Sequence, residues 1–356
     1  MPAAVWNVVY AAAAYVGAVI GAGTMSGRES ALFFLPFGCY GLWGTYLCIG
    51  LFALGGAGVM QAAQKWQAAN HRALFGRYFP PAMVNVLDII FSLFLFLTIA
   101  IMGAGAGALC SGYFGLTVRD GVLLMTAAAI LILYTGRQGF LRANALMVGG
   151  LLAILLIMFR QSYTPAVLSF LPPVRIIDGW IPRHWFLASL DYTAYNLALA
   201  MPILTAVGAG LPTERQARLG GLLGGTLLGL TMSIITLTLV PEAAAALEVP
   251  IPILLVVERL ERWIFPLYLV GMFLALLTTA VANAFALGRR FAGGNGRLER
   301  WLAISFVALA LPVSTIGFIE LVGVVYPVFG YFSIIVVIWL AGRRKKSMPA
   351  GGKTLK

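Results

Sequence analysis

Four carboxylates, Glu29, Asp88, Asp191 and Glu320, lie inside otherwise apolar stretches of this 356-residue chain. Ionisable groups in lipid are costly, so each marks a place where charge is paired, capped or used. Around the first, residues 21–29 read Gly-Ala-Gly-Thr-Met-Ser-Gly-Arg-Glu, as if one helix ends and another begins within a single apolar segment. Gly21 and Gly23 suit the left-handed conformation that closes a helix. Ser26 and Glu29 have capping-box spacing ahead of the apolar run Ala31–Leu35, so Glu29 reads as a cap on the restarting helix. Breaking a helix in lipid strands backbone groups at several kcal/mol each, unless those groups line a cavity. Broken spans of that kind mark substrate and ion sites in secondary transporters. The competing reading is an unbroken helix that uses its glycines for close packing.

The other polar groups are less specific. Asn85 and Ser92 share a helical face with Asp88, which predicts either a packing cluster or a proton relay. Asp191 and Glu320 fall near span ends, where interfacial water is within reach; Glu320 is also a candidate relay. Ser189, Asp191, Tyr192, Thr193, Tyr195 and Asn196 crowd one stretch before Pro202, which predicts a second break with Asn196 capping the restart. Thr278, Thr279 and Asn283 form a third polar group, although threonine hydroxyls in membrane helices usually bond back to their own backbone. Gly103, Gly105 and Gly107 predict close helix packing. Cys39, Cys48 and Cys110 lack metal-ligand spacing and read as small packing residues.

The elements that must position these residues are membrane helices. The chain is 61% hydrophobic and 10% charged. A soluble protein of this length could not bury so much apolar surface. The expected fold is an all-α integral membrane protein of about ten spans, at roughly 7–36 (broken), 38–62, 83–112, 120–136, 142–159, 185–208 (broken), 217–240, 263–287, 299–314 and 317–341. No soluble domain fits between them, so residues 1–356 read as one transmembrane domain with a basic tail at 342–356. The connections at about 160–184 and 241–262 are expected to carry short surface helices. The net charge of +12 does not point to nucleic acid. With the N-terminus in the cytoplasm, most of the 24 Lys and Arg residues fall in inside loops and the tail, while the outside holds Arg119, Arg160, Arg175, Arg183, Arg259 and Arg262. That bias fits an even span number, both termini inside a bacterial inner membrane, and a tail able to touch anionic lipid. The N-terminus has no positive n-region, so no cleaved signal peptide is expected.

The two expected breaks, near Gly23 and Asn196, each open a group of five spans. Five is odd, so related halves must enter the membrane inverted, as a first repeat over about 7–159 and a second over about 185–314 or to 341.

The run Tyr-Val-Gly-Ala-Val-Ile-Gly-Ala-Gly-Thr-Met-Ser-Gly-Arg-Glu, residues 15–29, resembles the signature of YkvI-type bacterial membrane proteins. These belong to the amino acid–polyamine–organocation transporter group with the LeuT-type five-plus-five fold. Thr24 and Met25 replace the Phe and Ala of that group's familiar motif. The resemblance implies that Gly21, Ala22, Gly23, Thr24, Met25 and Ser26 offer backbone groups to a substrate. It implies an anion-favouring start to the next helix, and an opposite wall of Tyr192, Tyr195 and Asn196. It also implies a cation held by carbonyls near Gly17 and Ile20 and the hydroxyls of Thr278 and Thr279. Span 5 lacks the lysine that some proton-coupled relatives place there, which favours sodium over a proton as the coupling ion.

The expected function is a cation-coupled secondary transporter of a small organic solute, an amino acid or related amine, with no other cofactor. The alternative is a membrane sensor or receptor subunit that keeps the fold and transports nothing. An intramembrane enzyme is disfavoured, because Asp88 and Asp191 lie toward opposite membrane faces, as do His71 and His184.

Overall fold

The computed structural model describes residues 3–68, 70–135, 153, 156–157, 159–160, 180–260, 262–293 and 295–342. Most of the span expected at 142–159 and of the connection after it, and residues 343–356 of the basic tail, lie outside these residues.

The first segment is interrupted twice. Helix α1 (Ala3–Val19) ends where the Gly21 amide donates to the Val19 carbonyl at 2.7 Å, a tight turn that leaves Gly17 without its helical partner. One turn, α2 (Ala22–Met25), follows. Gly27 then adopts φ +75° and starts α3 (Arg28–Phe33). Here only glycine avoids strain, and a β-carbon would also press 2.7 Å from Leu239. The expected break is therefore present, spread over Ile20–Gly21 and Ser26–Gly27.

The remaining described helices are α4 (Cys39–Trp66), α5 (His71–Phe75), α6 (Pro81–Tyr113), α7 (Val118–Thr135), α8 (Trp185–Gly210), α9 (Glu214–Leu239), α10 (Ala243–Ala246), α11 (Leu254–Val257), α12 (Ile264–Phe291), α13 (Gly296–Ser314) and α14 (Phe318–Gly342). The α4, α6, α8, α9 and α12 segments are each long and apolar enough to cross a membrane. The α13–α14 pair turns by 113° at Gly317, whose φ is +120°.

Glycine stripes set the packing. Gly221, Gly225 and Gly229 recur every four residues along α9 and lie against backbone atoms of Ala57, Phe52 and Ile49 in α4. Gly220 and Gly224 meet Ala11 and Tyr15 of α1, so α9 lies between α1 and α4. The expectation for α6 also holds: Gly103 faces Ser314, Gly105 faces Leu276 and Phe318, and Gly107 faces Val118.

Two expectations are corrected. The second break is absent, because α8 runs continuously from Trp185 to Gly210 with Pro202 inside it. Four of its polar side chains bond within the helix instead. Ser189 donates to the Trp185 carbonyl, Thr193 to Ser189, Asn196 to Tyr192, and Thr205 to Met201. Such back-bonding satisfies hydroxyls and amides with no interruption of the ladder. The 241–262 connection does carry short helices, but it is not a surface feature. Its Ile251, Ile253, Leu254 and Val257 are buried, and the Ile253 amide donates to Ser26 O at 3.0 Å, which closes this segment over the break.

Candidate functional site

The break is internally satisfied. Met25 N donates to Gly21 O, Gly27 N to Thr24 O, and the Ser26 hydroxyl to Gly23 O at 2.7 Å. The Tyr268 hydroxyl of α12 donates to Met25 O at 2.5 Å. Most carbonyls expected to face a substrate are thus held by the protein, and chemistry at this place falls to side chains.

The Glu29 side chain carries most of that chemistry, and its expected role as a cap is corrected. Gly27 is the N-cap of α3 and has no side-chain capping bond. Ser26 Oγ accepts from the Arg28 amide at 3.1 Å. This frees the Glu29 carboxylate to turn back across the break, where Thr24 donates to it at 2.9 Å. Gly23 makes room, since a β-carbon there would overlap Glu29 Oε1. Glu29 is only 3% exposed. Tyr192, Tyr195 and Tyr326 are its buried neighbours. Their rings form one cluster with Phe33: Tyr195 stacks on Tyr326 at 4.7 Å, and Phe33 lies 5.7 Å from both Tyr192 and Tyr195. A carboxylate inside an aromatic wall suits an organic ammonium group, held by charge and by cation–π attraction.

Gly21 brings the break to α12. A β-carbon at Gly21 would lie 2.7 Å from Thr279 Oγ1. Thr278 and Thr279 both donate to the Ala275 carbonyl, so their oxygen lone pairs stay free. Thr279 thus presents an oxygen with free lone pairs to the break at Gly21.

The other expected residues separate. Asn196 is buried in α8 and spends its amide on Tyr192 O. Asp191 does not reach interfacial water; it is fully buried. Glu320 is exposed. Arg28 bonds the Leu247 and Val249 carbonyls, with Glu320 a nearby charge. Asp88 forms a separate buried cluster. It is paired with Arg72 at 2.5 Å, with Arg290 and, at 3.4 Å, with His71, while Arg72 also donates to Asn85 at 2.6 Å. Among the described residues no group of three His, Cys, Asp or Glu forms a metal-type cluster. The sequence reading missed Tyr268 and Tyr326. Tyr268 lies eleven residues before Thr279, three helical turns on the same face, and that spacing was the available signal.

No protein-family model matches the chain. By sequence it is similar to the uncharacterized membrane protein YkvI of Bacillus subtilis strain 168, with 27% identity over 326 residues, 90% of this chain and 91% of that one. It is also similar to YyaD of the same organism, with 25% identity over 329 residues, 91% and 93% of the two chains. By structure it matches MhsT in complex with L-phenylalanine at a TM-score of 0.70, covering 93% of this chain and 87% of that one at 16% identity. The fold is the LeuT type. Inward-facing Mhp1 matches at 0.60, with 92% and 73% coverage and 16% identity. A sodium-coupled sialic acid symporter in its substrate-bound outward-open state also matches at 0.60, with 94% and 75% coverage and 13% identity. These LeuT-fold neighbours are transporters, not enzymes. The chain is a multi-pass membrane protein.

Proposed function

We propose that this LeuT-fold protein is a secondary transporter that moves a small organic amine or amino acid, coupled to sodium, across a bacterial inner membrane with both termini in the cytoplasm. The observation that carries the reading is the Glu29 carboxylate, turned into the break against Thr24 and walled by Tyr192, Tyr195 and Tyr326. It supplies the counter-charge for a substrate ammonium. The Gly21–Thr279 contact supports a sodium ion held by Gly17, Ile20, Thr278 and Thr279. The described break is covered by the 241–262 segment and held by its own hydrogen bonds. Substrate and sodium would shift the resting equilibrium only by their differential affinity for the open and closed states. Rocking of α1–α3 with α8 against the other helices would then expose both ligands on the far side. Each five-span repeat would contribute its first span to that moving body, and the basic tail would rest on anionic lipid.

Uptake into proteoliposomes across a library of amines, amino acids and organic acids, with and without a sodium gradient, tests the reading. Sodium-stimulated uptake of an amine or amino acid is expected. Ligand-induced thermal stabilisation without uptake of any solute would replace it with a sensor.

A further inference from the structure

Two aspartates are buried in the described helices, and their surroundings differ completely. Asp88 is met by Arg72, Arg290 and His71. Asp191 is 0% exposed, yet neither of its carboxyl oxygens has a hydrogen-bond partner among the described residues. No basic side chain pairs with it there. An uncompensated carboxylate withdrawn from water costs several kcal/mol. An asparagine or alanine at the same place in α8 would avoid that cost.

The packing around Asp191 is specific. The α14 backbone approaches at Gly330, where a β-carbon would overlap the carboxyl group and lie 2.7 Å from the Asp191 carbonyl. One turn along α14, the Ser333 hydroxyl is 2% exposed and also has no partner among the described residues. Tyr331 of α14 is an electrostatic neighbour of Asp191, Tyr192 and Tyr195 lie on its own helix, and Cys48 of α4 meets Ser189 and Thr193 on either side of it in sequence. None of these is a cation. The Gly330 backbone packs directly on the carboxyl group, so a small occupant suits this contact better than a large organic one.

We propose that Asp191 and Ser333 form a site for a small inorganic monovalent cation, a proton or a dehydrated sodium ion, at the α8–α14 contact. This site is separate from the break and from the Thr278–Thr279 oxygens. Its occupant neutralises the acid when the two helices are packed. Release of the cation leaves a bare carboxylate there and favours separation of α8 from α14, so the site ties cation occupancy to helix packing. The inference does not depend on transport, because a non-transporting receptor with this fold would need the same neutralisation.

The test uses the purified full chain in detergent micelles, with radioactive sodium binding and infrared spectroscopy as paired readouts. Asp191→Asn is checked for folding by its thermal transition. If the occupant is sodium, bound sodium falls by one ion per chain in Asp191→Asn, while Thr279→Ala removes a different ion. If the occupant is a proton, sodium stoichiometry stays the same, and a protonated-carboxyl band that shifts in deuterated water disappears. Should Asp191→Asn fail to fold, Ser333→Ala carries the test, with at least threefold weaker sodium binding or a displaced carboxyl band expected. A folded variant that changes neither readout overturns the proposal, and so does an unaltered Ser333→Ala protein when the aspartate variant is unfolded.

Discussion

Gly21 and Thr279 are placed so that any side chain at the first would occupy the oxygen of the second: a β-carbon at Gly21 would lie 2.7 Å from Thr279 Oγ1. The two residues are 258 positions apart, so this contact is a property of the fold and not of the local chain. It predicts a shared phenotype. Thr279→Ala removes one oxygen ligand and should weaken sodium dependence by roughly tenfold, about 1.4 kcal/mol. Its folding stability should change little, since the lost hydroxyl bonds only the Ala275 carbonyl of its own helix. Gly21→Ala should reduce sodium dependence in the same way, and overpacking should add a stability cost of about 1–3 kcal/mol. Sodium titrations of uptake and of melting temperature separate the two effects. Wild-type sodium curves for both variants would move the cation elsewhere.

The Glu29–Thr24 pair makes a second prediction. Glu29→Gln keeps the shape and the hydrogen-bond capacity but removes the counter-charge. Binding of a simple amine such as butylammonium should weaken by about two orders of magnitude, in line with loss of a charged hydrogen bond and its attraction. Thr24→Ala leaves the charge in place and should cost about tenfold or less. Butyrate, which carries the opposite charge, should bind neither variant. Isothermal titration of the detergent-purified protein measures all of this. A Glu29→Gln protein that binds amines as wild type does would show that the carboxylate serves only the fold.

The first break was legible because glycine, serine and a carboxylate interrupt an apolar run, and each has a local physical meaning there. The second expected break shows the limit of that argument. Composition counts polar groups, but it does not say which carbonyl each one bonds. In α8 the carbonyls lie one turn back in the same helix, so Ser189, Thr193 and Asn196 need no gap. Glu29 was misread for the same reason. Capping-box spacing is a local signal, yet the Gly27 conformation and the Thr24 hydroxyl draw the carboxylate the other way. Partners that come from distant sequence, such as Arg290 for Asp88 or Tyr268 for Met25, had no local trace beyond helical periodicity.

Tyr268 predicts how firmly the break is held. Its hydroxyl donates to Met25 O at 2.5 Å, and both groups are buried. Tyr268→Phe leaves that carbonyl short of its donor and should cost about 1–3 kcal/mol of stability. The aromatic packing would remain. Amide hydrogen exchange should rise in residues 21–27 more than in α4 or α9. A uniform rise across all helices would mean that the bond supports the whole bundle and not the break.

The Asp88 cluster makes the last prediction. Arg72 and His71 come from α5, Asp88 from the start of α6 and Arg290 from the end of α12, so one carboxylate ties three elements. Beside it, Phe75, Phe79, Phe91 and Met201 of α8 belong to one apolar cluster, which places α5 as a plug against that helix. With both Asp88 oxygens facing basic groups, the arrangement suits a lock more than a proton relay. Arg290→Ala should loosen the lock, but by less than the 3–5 kcal/mol of a fully buried pair, because Arg72 is half exposed and remains in place. Removing both arginines should exceed the sum of the single effects, since only the double variant leaves Asp88 buried with no guanidinium. A cysteine placed at Met201, read with a membrane-impermeant thiol reagent, should be slow in the parent, faster in Arg290→Ala and fastest in the double variant. Equal labelling in all three would make the cluster a static brace and place the moving barrier of this face elsewhere.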